Sequence, residues 1–267
     1  MDNYLDLNRE GWNQRTEAHW GSNFYNVDAW LAGNNDNLRE IERALLPELD
    51  GKRLLHLFCH FGQDTLSLAR MGAAVTGVDL SDRAIERARE LASLAKLEAR
   101  FINTDVLSLR DKLDEAASFD LVFQTYGTLG WLPELSEWGQ TVGHYLKPGG
   151  RLVLADFHPV LWMLDDKQRD KVGYPYFNLE PIVETSTDSY TDGSDQLNFT
   201  EVSWNHSMSD ILTSLLDAGL TIEQFREYDF SPWECFHDCV PADGPFRWYL
   251  KGMERQLPLV YAIQASK

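Results

Sequence analysis

Between Leu54 and Ser81 the chain runs LLHLFCHFGQDTLSLARMGAAVTGVDLS: an apolar stretch, a tight loop, a helix-like stretch, and a second apolar stretch closed by a carboxylate. That order suits the capture of a nucleoside. The loop after the first strand approaches a ligand through its backbone, and an acidic residue ending the second strand accepts hydrogen bonds from both ribose hydroxyls. Asp79 holds that second position, seventeen residues after Gly62, whose tolerance of positive φ suits the loop. A helix-capping role is the competing reading of Asp79, but Ser81 is better placed for it. Side chains that could carry a proton follow later strands: Tyr126, Asp156, His158 and His206. His56, between leucines on a strand, reads as a hydrogen-bonded core histidine. Trp131, Trp162, Trp204 and Trp233 suit a cage for a flat or cationic ligand, and core packing accounts for them equally well. Glu234 to Cys239 gathers several metal-capable side chains without a second ligand pair at zinc-finger spacing, so no metal is expected.

These residues need a framework, and from Gly51 onward short apolar runs alternate with amphipathic stretches, which predicts a βαβ sheet. Strands are expected at Arg53 to Phe58, Ala74 to Val78, Ala99 to Asn103, Phe119 to Thr125 and Arg151 to Asp156. Helices are expected at Asp64 to Met71 and, capped by Ser81, as far as Lys96. The second of these places Ala84, Ile85, Ala88, Leu91, Ala92 and Ala95 on one stripe. Pro133 is expected in the first turn of the helix after the fourth strand, and Lys147-Pro148-Gly149-Gly150 as a tight turn into the fifth. Two period-2 stretches, Ile182 to Tyr190 and Leu197 to Trp204, joined through Asp192-Gly193, predict an inserted hairpin. Ser207 and Asp210 form a capping box before a helix to Ala218, Gly219 stops it, and strands follow at Thr221 to Tyr228 and Leu257 to Ala265.

The stretch Leu54 to Ser81 resembles the class I S-adenosylmethionine-dependent methyltransferases, whose first motif usually reads Leu-Asp-Leu-Gly-Cys-Gly-x-Gly and leads through a helix to a strand ending in Val-Asp. In this chain His56 stands at the Asp position, Phe58 and His60 at two glycine positions, and Gly62 at the last glycine. The frame is kept in Leu57, Cys59, Gly62, Gly72-Ala73 and Val75 to Ser81. The Cys59-His60-Phe61-Gly62 loop looks like that of a branch of uncharacterised bacterial methyltransferases. Asn103-Thr104-Asp105, Phe119 to Gly127, and Leu146 to Gly150 resemble later motifs, so the resemblance covers residues 50 to 156 well and the last strands weakly. It implies an α/β, Rossmann-like, seven-stranded doubly wound sheet, mostly parallel with an antiparallel last strand, plus N-terminal helical and aromatic lid inserts. It also implies S-adenosyl-L-methionine as cofactor, held by Cys59, His60, Phe61, Gly62, Asp79, Leu80, Thr104, Asp105, Val106 and Thr125, with Asp105 against the adenine amino group. An exposed turn is the other reading of Asp105. A nicotinamide dehydrogenase would need a G-x-G-x-x-G loop, which Cys59 to Asp64 does not supply.

Methyl transfer from a sulfonium is an in-line displacement with an activated donor, so the protein mainly aligns the nucleophile and excludes water. A hydroxyl or protonated amine acceptor also needs a base. His158 is the first choice, with Tyr126 and His206 as further catalytic candidates, and a structural role is the competing reading of both histidines. The 267 residues, 43% hydrophobic, bound one elaborated α/β domain: an N-terminal lid over 1–50, a cofactor-binding half over 51–156, and inserts at 157–206 and 229–250 near the acceptor site. Trp12, Trp20, Phe24, Tyr25 and Trp30 make the first segment too aromatic for a disordered tail.

Forty-two acidic against 24 basic side chains give a formal charge of −18, which repels a phosphate backbone. Nucleic acid is therefore not the expected partner, and a small-molecule acceptor is. No membrane-length apolar run or signal pattern is present, and Cys59, Cys235 and Cys239 suggest no disulfide framework, so a cytoplasmic location is expected. A homodimer is compatible with the sequence. The departures at Phe58 and His60 leave one alternative open, a nonenzymatic descendant of the fold that binds a nucleoside-like ligand or a protein partner.

Overall fold

In the computed structural model the described residues are all except 1, 2, 35, 166–170, 178, 179, 235, 237 and 238. Three helices come first: α1 (Tyr4–Trp20), α2 (Val27–Leu31) and α3 (Glu40–Arg43). The alternating pattern then folds as β1 (Arg53–Leu57), α4 (Gln63–Arg70), β2 (Ala74–Asp79), α5 (Asp82–Ala95), β3 (Arg100–Asn103), β4 (Phe119–Thr125), α6 (Ser136–Tyr145) and β5 (Leu146–Phe157). A hairpin of β6 (Ile182–Ser186) and β7 (Phe199–Ser203) follows, then α7 (Met208–Asp217) and β8 (Thr221–Tyr228). A short antiparallel pair, β9 (Cys239–Pro241) with β10 (Trp248–Leu250), precedes β11 (Val260–Ser266).

Seven strands form one sheet in the order β3-β2-β1-β4-β5-β11-β8. Every pairing is parallel except those of β11, which runs antiparallel to both β5 and β8. A parallel sheet must be covered on both faces. One face packs α6 and α7 through Trp138, Val142, Ile211 and Leu215, and the other packs Ile41, Leu45, Leu49 and Leu68 from α3, its following loop and α4. Strand order reverses between β1 and β4, and at such a switch point the carboxyl ends of the strands leave a crevice for ligands.

Local signals set most boundaries. Ser81 Oγ accepts from Ala84 N at 2.9 Å, and the α5 stripe Ala84, Ile85, Ala88, Leu91, Ala92 is buried. Ser207 and Asp210 form the reciprocal capping box of α7, and Gly219 ends that helix at φ 81°. Three expectations are corrected. Pro133 lies before the helix, which begins only at Ser136 after Glu134 has accepted the N–H of Ser136 at 2.7 Å. Lys147 to Gly150 is part of β5, where the pairing steps from Phe119↔Leu146 to Leu121↔Arg151 across an irregularity. β11 begins at Val260, just beyond Pro258, which has no N–H to give a ladder.

Helix α1 crosses to the far insert. Asn8 imitates a strand neighbour, donating to Val202 O and accepting from Val202 N, each at 2.8 Å. Gly11 lets the β7 side approach, since a Cβ there would sit 2.8 Å from the Phe199 ring. Glu17 reaches Arg87 on α5 at 2.6 Å. Chain segments nearly 200 residues apart thus close one roof. Among the described residues no helix is long and apolar enough to cross a membrane.

Candidate functional site

A cavity of about 420 Å³ opens at the carboxyl ends of β1, β2, β4 and β5, within the range of small-ligand sites. Its floor is the loop after β1. Three residues of that loop are left-handed, Phe58 at φ 57°, His60 at 49° and Gly62 at 76°. These are the three positions where the family motif carries glycine, so the loop keeps a glycine-type path with two side chains added. Strain follows at Phe58 and His60, on the order of 1–2 kcal/mol per residue. Gly62 admits no side chain: a Cβ would lie 2.8 Å from the Phe101 ring and 3.1 Å from Ala88 Cβ.

Asp79, at the end of β2, ties the loop down. Its Oδ2 accepts from His60 N at 2.8 Å and its Oδ1 from Ser81 N at 2.9 Å. Each oxygen retains a lone pair for a hydroxyl. Burial pushes this carboxyl up to about 6, against the lowering effect of the backbone donors. A ribose diol therefore has a suitable acceptor. Leu80 and Val106 supply apolar wall beside it, and Asp105, whose Oδ2 holds Ser108 N and Oγ at 3.2 Å each, also faces the cavity.

Of the residues singled out from the sequence, Cys59, His60, Phe61, Gly62, Asp79, Leu80, Asp105, Val106, Thr125, Tyr126 and His206 line this cavity. Thr104 and His158 do not. Thr104 spends its N–H on Asp79 O at 3.0 Å and is buried. His158 is turned to the sheet edge: its Nε2 lies 3.0 Å from Glu227 Oε1, its Nδ1 accepts from Val160 N, and its ring meets Tyr261 edge-on. Burial lowers its pKa while Glu227 opposes that shift. The first-choice base therefore stands outside the site.

The other proton carriers differ in freedom. Tyr126 donates its hydroxyl to buried Glu42 at 2.7 Å, and burial together with Glu42 raises it well above 10, so it is a committed donor. Asp156 is saturated by Gly127 N, Thr128 N and Oγ1, Leu129 N and Phe157 N, which makes it the anchor of the loop after β4. The Nε2 of His206 lies 2.8 Å from Leu132 O. A carbonyl only accepts, so that ring nitrogen carries the proton and Nδ1 keeps the lone pair. Burial lowers the His206 pKa and keeps the ring neutral at pH 7, with the Leu132 carbonyl opposing. His56 is buried and hydrogen-bonded as expected, to Thr65 Oγ1 at 2.7 Å, and burial pushes it down to about 3, but its ring also belongs to the cavity lining.

The contacts that tie the loop to the roof, and the roles of Arg15 and Asp64, carried no recognisable signal. His60 Nε2 meets His19 Nδ1 at 3.0 Å, and His19 Nε2 meets Ser189 Oγ at 2.8 Å, so the loop, α1 and the segment after β6 are latched together. Burial lowers the pKa of both imidazoles, that of His60 to about 3. Arg15 pairs with Glu201 at 2.6 Å in the roof. Asp64, in the first turn of α4, lines the cavity beside Glu42 and Arg39, and burial followed by Glu42 pushes it up to about 7. For α1 the spacing of Trp12, Arg15 and His19 on one face was available, yet nothing local says that this face meets the cavity. The run Glu234 to Cys239 includes Cys235, His237 and Asp238, which lie outside the described residues; among the described residues no metal-capable cluster of three forms.

Residues 54–150, the stretch that builds the floor of the cavity, match the family model described as a methyltransferase domain. A crystal structure of an S-adenosylmethionine-dependent methyltransferase from Mesorhizobium loti superposes with a TM-score of 0.55 at 21% identity, covering 85% of this chain and 95% of that one. Geranyl diphosphate C-methyltransferase from Streptomyces coelicolor, solved with S-adenosyl-L-homocysteine, gives 0.54 at 13% identity over 85% of this chain and 76% of that one. The seven-stranded methyltransferase fold is thus shared. In sequence, 27-O-demethylrifamycin SV methyltransferase from Amycolatopsis mediterranei is 30% identical over 146 residues, 52% of each chain. The chain spans about half the length of that curated relative.

Proposed function

We propose that this protein transfers a methyl group from S-adenosyl-L-methionine to a small molecule enclosed in the cavity. The observation that carries the reading is the pairing of Asp79 with the left-handed Phe58–Gly62 loop at the switch point of a methyltransferase fold. Asp79 would take the ribose hydroxyls, Leu80 and Val106 would flank the adenine, and Asp105 would accept from its amino group. The bound cofactor supplies an activated methyl on a sulfonium, and the chain supplies alignment and exclusion of water. The roof of α1 and the β6–β7 hairpin suits the second task, and a roofed cavity of about 420 Å³ suits a small acceptor better than a polymer. His206, on the cavity wall with Nδ1 as its unprotonated nitrogen, would take a proton from a hydroxyl or amine acceptor. The net charge of −18 speaks against a nucleic-acid partner.

A second reading, a nonenzymatic nucleoside-binding descendant, is favoured by one feature, the side chains of Phe58 and His60 at glycine positions. Calorimetric titration with S-adenosylmethionine and S-adenosylhomocysteine tests the main reading, with micromolar binding of both expected. Absence of binding of either at millimolar ligand would refute it. Binding of adenosine alone, with no preference for the two cofactor forms, would leave the second reading standing.

A further inference from the structure

The roof of the cavity holds a buried guanidinium with spare hydrogen-bonding capacity. Arg15 lines the cavity, and its side chain is only 10% exposed. Its Nη2 is engaged by Glu201 Oε2 at 2.6 Å, and Glu201 Oε1 in turn accepts from Ser186 Oγ. Its Nη1 is sealed from water and has no hydrogen-bond partner among the described residues. The guanidinium lies 4.3 Å from the Phe199 ring centroid, 5.0 Å from Trp12 and 5.6 Å from Trp131. Trp131 is itself pinned, its indole N–H donating to Gly127 O at 2.7 Å. A fixed donor set among flat rings recognises a flat ligand that carries an acceptor atom, because a buried donor left unpaired is costly and a ring face rewards stacking.

Charge narrows the class further. The ionisable side chains that α1, β6 and β7 present to the cavity are Arg15, Glu184 and Glu201. Arg15 is already neutralised by Glu201, and Glu184, which accepts from Tyr174 Oη at 2.5 Å, adds a second carboxylate. Among the described residues of these three elements, another anion would meet no uncompensated positive charge. A cation would leave the Arg15 donor unserved.

We propose that the methyl acceptor is a planar, uncharged, oxygen-bearing ring compound whose oxygen accepts a hydrogen bond from Arg15 Nη1, with Trp12 and Trp131 against its ring. This deepens the methyltransferase reading and rests on it for the identity of the ligand as acceptor. The test uses matched probes on the full chain: 2-acetylnaphthalene, its oxygen-free isostere 2-isopropenylnaphthalene, anionic 2-naphthoate and cationic 2-naphthylmethylammonium. Binding is read by tryptophan fluorescence with and without S-adenosylhomocysteine. The ketone is expected to bind roughly tenfold to a hundredfold more tightly than the isostere, the worth of one hydrogen bond from a charged donor, and more tightly than either ion. In Arg15→Met/Glu201→Gln, which leaves no buried charge unpaired, that preference should fall to about one while S-adenosylhomocysteine still binds as in the wild type. A ketone without advantage over its isostere, an ion that binds best, or a preference that survives in the double variant would overturn the assignment. Loss of S-adenosylhomocysteine binding in the wild type would instead strike the cofactor reading, which the probe series does not depend on.

Discussion

Replacing Asp79 by Asn keeps the shape of the side chain and removes its charge and one acceptor oxygen. In the wild type Oδ1 and Oδ2 each hold a backbone N–H, of Ser81 and His60. An amide can serve only one of them, and its NH₂ then faces the other donor. One partly buried N–H left without a partner costs about 1–3 kcal/mol, and release from burying a carboxylate offsets part of that. The folded protein should therefore lose roughly 1–2 kcal/mol, read as a shift of the urea midpoint at pH 7. Ligand affinity should fall further. A ribose hydroxyl on a charged acceptor is worth about 1.5–3 kcal/mol, so S-adenosylhomocysteine should bind roughly tenfold to a hundredfold more weakly in calorimetry.

The pH dependence separates a ligand contact from loosening of the loop. With its carboxyl pushed up to about 6, Asp79 is mostly ionised at pH 7 and about one-tenth ionised at pH 5. If the carboxylate is the form that binds the diol, wild-type affinity drops about tenfold between those values. The Asn variant has no such group, and any remaining slope should centre near 7, where Asp64 titrates. Unchanged affinity in the variant, or an unchanged inflection near pH 6, would refute the role given to Asp79.

Asp64 has a folded pKa of about 7 against 3.8 for the free side chain, so the folded state holds an extra proton between those values. Its contribution to stability falls as pH rises through that window, and the penalty is complete above 7. Asp64→Asn should raise the melting temperature more at pH 8 than at pH 5, as scanning calorimetry would show. Gly62→Ala meets both a left-handed φ and the Phe101 ring at 2.8 Å, and should cost about 2–4 kcal/mol in urea unfolding. His206→Ala should slow transfer to a hydroxyl acceptor by roughly a hundredfold or more with S-adenosylhomocysteine affinity unchanged. An unaltered rate at saturating acceptor would remove His206 from the chemistry.

The floor of the site was legible because its determinants are local. The strand-loop-helix-strand order, the Ser81 cap and the position of Asp79 lie within 28 residues, and the sheet order with its antiparallel β11 followed from the same frame. His158 misled because a histidine two residues beyond a strand-end carboxylate has two faces to choose from. The ring turned to Glu227 on β8, a partner 69 residues away that nothing near His158 announces. Asp156, beside it, turned to the backbone of the β4 loop for the same kind of reason, five donors within reach.

The roof was illegible for a physical reason rather than for want of pattern. Its contacts join α1 to a hairpin almost 200 residues away, Asn8 to Val202 and Arg15 to Glu201. A buried polar face on α1 looks, in sequence, like a solvated one: Asn8, Arg15, Thr16 and His19 are all polar and all buried. Their burial is tolerable because each finds a partner, Trp12 O within the helix for Thr16 and other segments for the rest: Val202 for Asn8, Glu201 for Arg15, His60 and Ser189 for His19. Polar partners and ring contacts, Tyr4 with Trp204, Trp12 with Trp131 and Trp20 with Phe61, together hold the helix in place. The His19–His60 contact places that helix directly on the loop that would cradle the cofactor. Occupancy of the loop would therefore be felt in α1 through this hydrogen bond and the Trp12–His60 and Trp20–Phe61 ring contacts, and hydrogen exchange in α1 should slow when S-adenosylhomocysteine binds.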